Sequence, residues 1–172
     1  QINGYVEYLQ PLNGQGAGSV KARLARAIIE PAIVQEVRDL VARTEDPETL
    51  PALDIEAEQV DVLGYKFDQV TILAGNASMP MVAGAPLVDQ PEEDGNGWRI
   101  HQLTARMPHG QLLGSGLWGQ PRQGTRPGST PARRFVSLNV RLETDDLGGM
   151  LQHFGHPGLV AGGAGALAGT VR

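Results

Sequence analysis

The feature that most constrains this chain is a two-residue apolar alternation that slips by one and then resumes. In LDIEAEQVDV (53–62), Leu53, Ile55 and Ala57 alternate with Asp54, Glu56 and Glu58, and after Gln59 the apolar positions become Val60 and Val62. Strand side chains point to opposite faces in turn, so an uncorrected slip turns the apolar set outward. A β-bulge near Glu58 and Gln59 restores the facing and bends the strand. Phe67 gives way in the same manner to Val70, Ile72 and Ala74, and Trp98 and Ile100 to Leu103, Ala105 and Met107. Val136, Leu138, Val140 and Leu142 alternate without a slip. This writing predicts a sheet with one apolar face, one polar face and built-in irregularities.

Glycine is the second signal. GQLLGSGLW (110–118) ends on apolar Leu117 and Trp118 yet carries Gly110, Gly114 and Gly116. Glycine weakens a strand unless the backbone must bend, bulge or approach something closely. The expectation is that these three let the backbone curve. The stretch 110–115 aligns without gaps on 165–170 (GALAGT), 55 residues later, and 14–19 (GQGAGS) is a weaker third copy lacking the leucine.

Elsewhere, residues 5–12 read as a weak strand before a glycine-rich turn, and 19–29 as a half-exposed strand whose pattern shifts at Arg26. Ile33, Val34, Val37, Leu40 and Val41 recur at helical spacing behind Pro31, which suits the first helical position. That helix is expected to pack on the sheet. A hairpin turns around Leu63, Gly64 and Tyr65, and another at PHG (108–110). The segments 76–97 and 119–132 read as loops, the first with a short edge strand near Met81 and Val82. A second helix starts after Thr144 or Asp145 as N-cap, lines Leu147, Leu151 and Phe154 on one face, and stops at Gly155 before Pro157.

The residues exclude more chemistry than they offer. A net charge of −5 and scattered basic residues, with Arg122, Arg126, Arg133 and Arg134 in a Gly/Pro/Ser-rich stretch, argue against a nucleic-acid surface. Without cysteine there is no disulfide, thiol catalysis or cysteine-held zinc. His153 and His156 are separated by a helix-ending glycine, and His101 and His109 flank a turn, so no metal site is expected. Asp54, Glu56 and Glu58 occupy one polar strand face, Glu92, Glu93 and Asp94 a loop, and Asp145 and Asp146 a helix start. No nucleophile elbow or phosphate loop occurs. No apolar run reaches the ~20 residues that span a bilayer. The reading is of a binding surface, not an enzyme, with no cofactor.

Three segments carry a family resemblance: LPALDIEAEQVDVLGYKFDQVTI (50–72), GWRIHQLTARMPHGQLLGSGLW (97–118) and TDDLGGMLQHFGHPGLVAGGAGALAG (144–169). In order and spacing they resemble the C-terminal region of the YhdP proteins of the AsmA-like superfamily. The likeness covers most of 50–172, with 1–49 matched loosely and the two loops departing from the family pattern. The resemblance implies one section, 1–172, of a longer periplasmic protein anchored in the inner membrane. Such proteins form long twisted sheets folded into an apolar groove and are associated with phospholipid transport between inner and outer membranes.

The expected fold is therefore mainly β: a strongly curved, twisted antiparallel sheet forming an open groove, with short helices near 31–43 and 145–154. The groove lining is expected to comprise Leu53, Ile55, Val70, Ile72, Ile100, Leu103, Leu113, Leu117, Leu138 and Val140, with phospholipid and neighbouring segments of the same protein as partners. Two alternatives stand beside it. The same residues could fill a closed β-sandwich core, and the section could be a structural or interaction module without a ligand of its own.

Overall fold

A computed structural model of the chain describes residues 2–11, 17–43, 49–76, 95–121 and 135–171. They form one eight-stranded sheet whose strands lie side by side in chain order. The strands are β1 (Ile2–Leu9), β2 (Ser19–Ile29), β3 (Ala52–Val62), β4 (Tyr65–Asn76), β5 (Gly95–Met107), β6 (Gly110–Pro121), β7 (Phe135–Thr144) and β8 (Gly165–Val171). Helix α1 (Pro31–Arg43) connects β2 to β3, and α2 (Leu147–His153) lies between β7 and β8. The sheet is not closed, and no closed sandwich forms among the described residues. β1 and β8 are its edges.

The first strand begins and ends three residues earlier than its alternation suggested, and β4, β5 and β6 take residues at the margins of both expected loops. The edge strand expected near Met81, the arginines at 122, 126, 133 and 134, and the first half of the third glycine copy (14–16) fall outside the described residues.

Neighbouring strands are antiparallel with one exception: β2 and β3 run parallel, so the sheet is mixed. The cause is α1. A tight turn joins antiparallel strands, whereas a strand that resumes in the same direction needs a crossover, usually a helix. On α1, Ile33 is exposed and Val34 half-buried.

The hairpin turns carry the local chemistry they need. Leu63 and Gly64 both have positive φ (56° and 90°), the signature of a type I′ turn, and the Gly64 N–H donates to Asp61 Oδ1 at 2.9 Å. His109, also at positive φ, turns β5 into β6. Its carbonyl accepts from the Asp145 N–H at 3.2 Å and from Thr144 Oγ1 at 2.6 Å, tying this turn to the end of β7. With Thr144 so engaged, the N-cap of α2 is Asp146 rather than Thr144 or Asp145, and its carboxylate accepts from the Gly149 N–H at 3.1 Å. The helix stops where the sequence indicated. Gly155 takes φ 80°, its N–H donates to Gln152 O at 3.0 Å, and the His156 N–H donates to Leu151 O at 2.8 Å. That pair of bonds is a Schellman motif.

The alternation slips become a single line across three strands. Leu24, Ala57 and Val70 are register partners on one side of it, and Ala27, Val60 and Phe67 on the other. Between them Ala25, Glu58 and Gln69 drop out of the pairing and are exposed. The β3 offset is the same before and after, so the bulge expected on β3 at Glu58 and Gln59 does not produce a register shift there. The shift falls on β4, which takes three steps from Asp68 to Thr71 while β5 takes two, and Gln69 adopts φ 49°. β5 adds its own extra residue between Ile100 and Leu103. The result is what the slips require. Ala27, Ala57, Val60, Val70 and Ala105 form one buried cluster with Leu24, Ile29, Val62, Phe67, Ile72 and Leu112 packed against it.

Candidate functional site

Register partners in a sheet share a face, and following them across the sheet assigns every strand. Leu53 pairs with Ala74, Ile55 with Ile72 and Ala57 with Val70; Ile72 pairs with Leu103, and Ala74 with Ile100. Leu103 and Ile100 then pair with Gly114 and Gly116, which pair with Val140 and Leu138. Leu53, Ile55, Val70, Ile72, Ile100, Leu103, Leu138 and Val140 therefore occupy one face. Val70 is buried and the other seven are half-buried.

Leu113 and Leu117 do not belong with them. Leu113 pairs with Thr104 and Arg141, and Leu117 with Arg99 and Ser137, which places both on the opposite face. The reason is parity: on β6 the positions facing Leu103 and Val140 are glycines, so the leucines beside them point the other way. Leu117 is 1% exposed, and Ser115 and Ser137 are buried beside it.

The β6 glycines, expected to let the backbone curve, lie beside the irregularity on β5: pairing moves from Gly114 to Gly116 while β5 moves from Leu103 to Ile100. Gly110, Gly114 and Gly116 are absent from the positive-φ positions, and β6 pairs with β7 without a break from Gly110 to Gly119. They also provide space. A Cβ on Gly114 would stand 3.1 Å from Leu103 Cδ2; one on Gly116 would stand 3.0 Å from Ser137 O and 3.2 Å from Leu138 Cδ1. The half-buried leucines lie over the glycine backbone.

The back of the sheet is largely polar. Arg23 reaches Asp54 at 2.9 Å and Glu56 at 3.2 Å, Arg141 reaches Glu143 at 2.8 Å, and Gln111 Nε2 donates to Glu143 Oε2 at 2.6 Å. Partly exposed pairs of this kind contribute little stability, so they mark the solvent side rather than hold it together.

Both ends of the apolar face carry larger side chains. At one end Trp98, on the same face as Ile100, donates from Nε1 to Pro51 O at 3.0 Å. At the other, α2 lies against the face. Met150 is buried with its sulfur 3.6 Å from where a Gly110 Cβ would stand, and the Phe154 ring centre is 5.2 Å from that of Tyr65. A hollow of about 490 Å³ beside α2 is lined by Val60, Phe67, Pro108 and His153 with Arg26, Lys66, Asp61 and Asp68. Another of about 360 Å³ follows the line of slips, between Arg23, Leu24, Glu56, Ala57, Gln69 and Val70.

The apolar surface continues to both edges. Val6 and Tyr8 on β1 are register partners of Ala22 and Val20, while Leu167 and Val171 on β8 partner Leu142 and Leu138. Leu167 is 71% exposed and Val171 63%. Scattered exposed apolar residues need no explanation; a contiguous apolar surface marks an interaction site.

One titratable group stands apart. His101 sits where β5 carries its extra residue, and both of its ring nitrogens are buried. Burial lowers its pKa below the usual histidine value, and the nearby Arg99 charge lowers it further. The Asn76 backbone opposes the shift weakly. Among the described residues no three His, Asp or Glu side chains gather in a metal-holding group, and no helix is long and apolar enough to cross a membrane.

The sequence reading missed three parts of this site: Met150, the placement of α2 over one end of the apolar face, and the parallel β2–β3 pair. Only the last had a signal, a helix between two strand patterns. Comparison of the chain with protein-family models, with curated proteins and with solved structures returned no match.

Proposed function

We propose that the apolar face binds phospholipid acyl chains and that the chain is one section of a periplasmic lipid conduit of the YhdP-like kind, in a protein anchored in the inner membrane. The observation that carries this reading is the half-exposed apolar face. Eight apolar residues from β3, β4, β5 and β7 lie on it, with Gly114 and Gly116 between Leu103, Ile100, Val140 and Leu138. Bulges bend the strands that carry them, so the irregularities on β4 and β5 supply the curvature a groove needs. Each acyl CH₂ taken out of water contributes about 0.8 kcal/mol, so a continuous apolar lining retains a chain without a head-group pocket. On the other side the ion pairs of Arg23 and Arg141 form a polar surface. A second reading, a ligand-free structural module, is favoured by the exposed edge strands.

Photo-crosslinking tests the reading. A benzophenone side chain replacing Val140 captures co-purifying phospholipid, while the same group replacing Leu113 does not. Leu103→Asp lowers capture from position 140 at least fivefold with the protein still folded by circular dichroism. Equal capture from 113 and 140, or a lipid-free protein by native mass spectrometry after purification from a lipid-rich extract, would overturn it.

A further inference from the structure

The two copies of the glycine motif are related in space as well as in sequence. Gly110 and Gly165 both pair with Thr144, Leu112 and Leu167 with Leu142, Gly114 and Gly169 with Val140, and Ser115 and Thr170 with Asn139. β7 therefore lies between two strands of one pattern, in one register. Thr170 Oγ1 stands 2.8 Å from Asn139 Oδ1 on the β8 side.

This places a constraint on the outer edge of β8. The copies run in the same direction and turn equivalent residues to the same face. The backbone N–H and C=O groups that β6 presents to β7 therefore recur at equivalent positions on the free side of β8. Among the described residues nothing pairs with that side. Edge strands are commonly blunted by charges or proline, and GALAGTV (165–171) has neither.

We infer that the outer edge of β8 receives an antiparallel strand of the β7 pattern from a partner polypeptide. The partner strand sets a bulky apolar residue opposite Leu167 and another opposite Gly169, and an amide or hydroxyl residue opposite Thr170. Main-chain hydrogen bonds supply the attachment, and the alternate side chains set the register. The added strand widens the apolar face by one strand. The edge chemistry is independent of whether lipid occupies that face.

The test uses the full chain and a fluorescein-labelled peptide with the β7 sequence FVSLNVRLET. Fluorescence anisotropy is expected to show binding at least tenfold tighter than for a scrambled peptide. The chain has no cysteine, so register is read with Thr170→Cys and peptides carrying one cysteine at the place of Leu138, Asn139 or Val140. The Asn139 position is expected to form the disulfide at least fivefold faster than either neighbour. Binding of the scrambled peptide within twofold, or equal rates at the three positions, overturns the inference. So does coupling of Thr170→Cys chains to one another that saturating peptide does not slow, which would assign the edge to a second copy.

Discussion

The β2–β4 region and the β6–β8 region solve the same problem in different ways. Each must keep one face apolar along strands of ten residues or so. In β2–β4 the alternation changes phase at one level in all three strands, and the exposed residues Ala25, Glu58 and Gln69 absorb the change. In β6–β8 no phase change occurs, and pairing runs unbroken from Gly110 to Gly119 and from Gly165 to Val171. There the face is shaped by leaving side chains out. The difference teaches that an interrupted apolar pattern has two origins: strained backbone in the first region, and reserved space in the second. β5 lies between the two and carries the extra residue that separates them.

The largest expected effect sharpens the second half of that comparison. A Cβ on Gly110 would stand 2.6 Å from Glu143 O, whereas one on the matching Gly165 meets nothing within 4 Å. Gly110→Ala should therefore cost about 1–3 kcal/mol in urea unfolding, as overpacking does. Gly165→Ala should stay within about 0.5 kcal/mol of the parent. Equal losses from the two would break the distinction between a crowded inner copy and an open outer one.

The strained backbone of the first region is tested at Gln69. A non-glycine residue in the left-handed region costs roughly 1–2 kcal/mol, and branched side chains are outliers there. Gln69→Val is expected to lower stability by about 1 kcal/mol or more, and Gln69→Gly to raise it by a few tenths to about 1 kcal/mol after the glycine's extra unfolded-state entropy. A glycine variant less stable than the parent would show that the side chain, not the backbone, matters at this position.

The smallest effect falls at the boundary, on His101. Its pKa is lower in the folded protein, through burial first and Arg99 second. The unfolded chain then binds more protons in the window between the lowered value and about 6.5. The contribution is fully present above that window and is lost as pH falls through it. Thermal unfolding measured from pH 7.5 to 5 should show a decline that His101→Gln flattens. An unchanged pH profile in the variant would assign the decline to other groups.

Much of the local structure could be read from the residues because its causes are local. Pro31 and the apolar spacing behind it located α1, Gly64 the first hairpin, and Gly155 with Pro157 the end of α2. The slips at 68–71 and 100–103 appeared where alternation changed parity, because side-chain direction is fixed by two-residue periodicity alone. The N-cap of α2 was displaced by one or two residues because Thr144 hydrogen-bonds to His109 from another hairpin. Leu53, Ile55, Val70 and Ile72 share a face through parity within the β3–β4 hairpin. The error at Leu113 and Leu117 arose because their facing depends on β5 and β7, whose partners are set across the sheet.

By itself the sequence determined that this chain forms β-strands with one apolar and one polar side, punctuated by two helices and glycine-bearing turns. Only the tertiary structure decided that β2 and β3 run parallel, that three slips fall on one line, and that two glycine motifs flank β7 in one register. Periodicity is a property of a single strand, fixed by the alternation of its Cβ atoms. Register belongs to a pair, fixed by which backbone groups meet, and it exists only once the strands have come together.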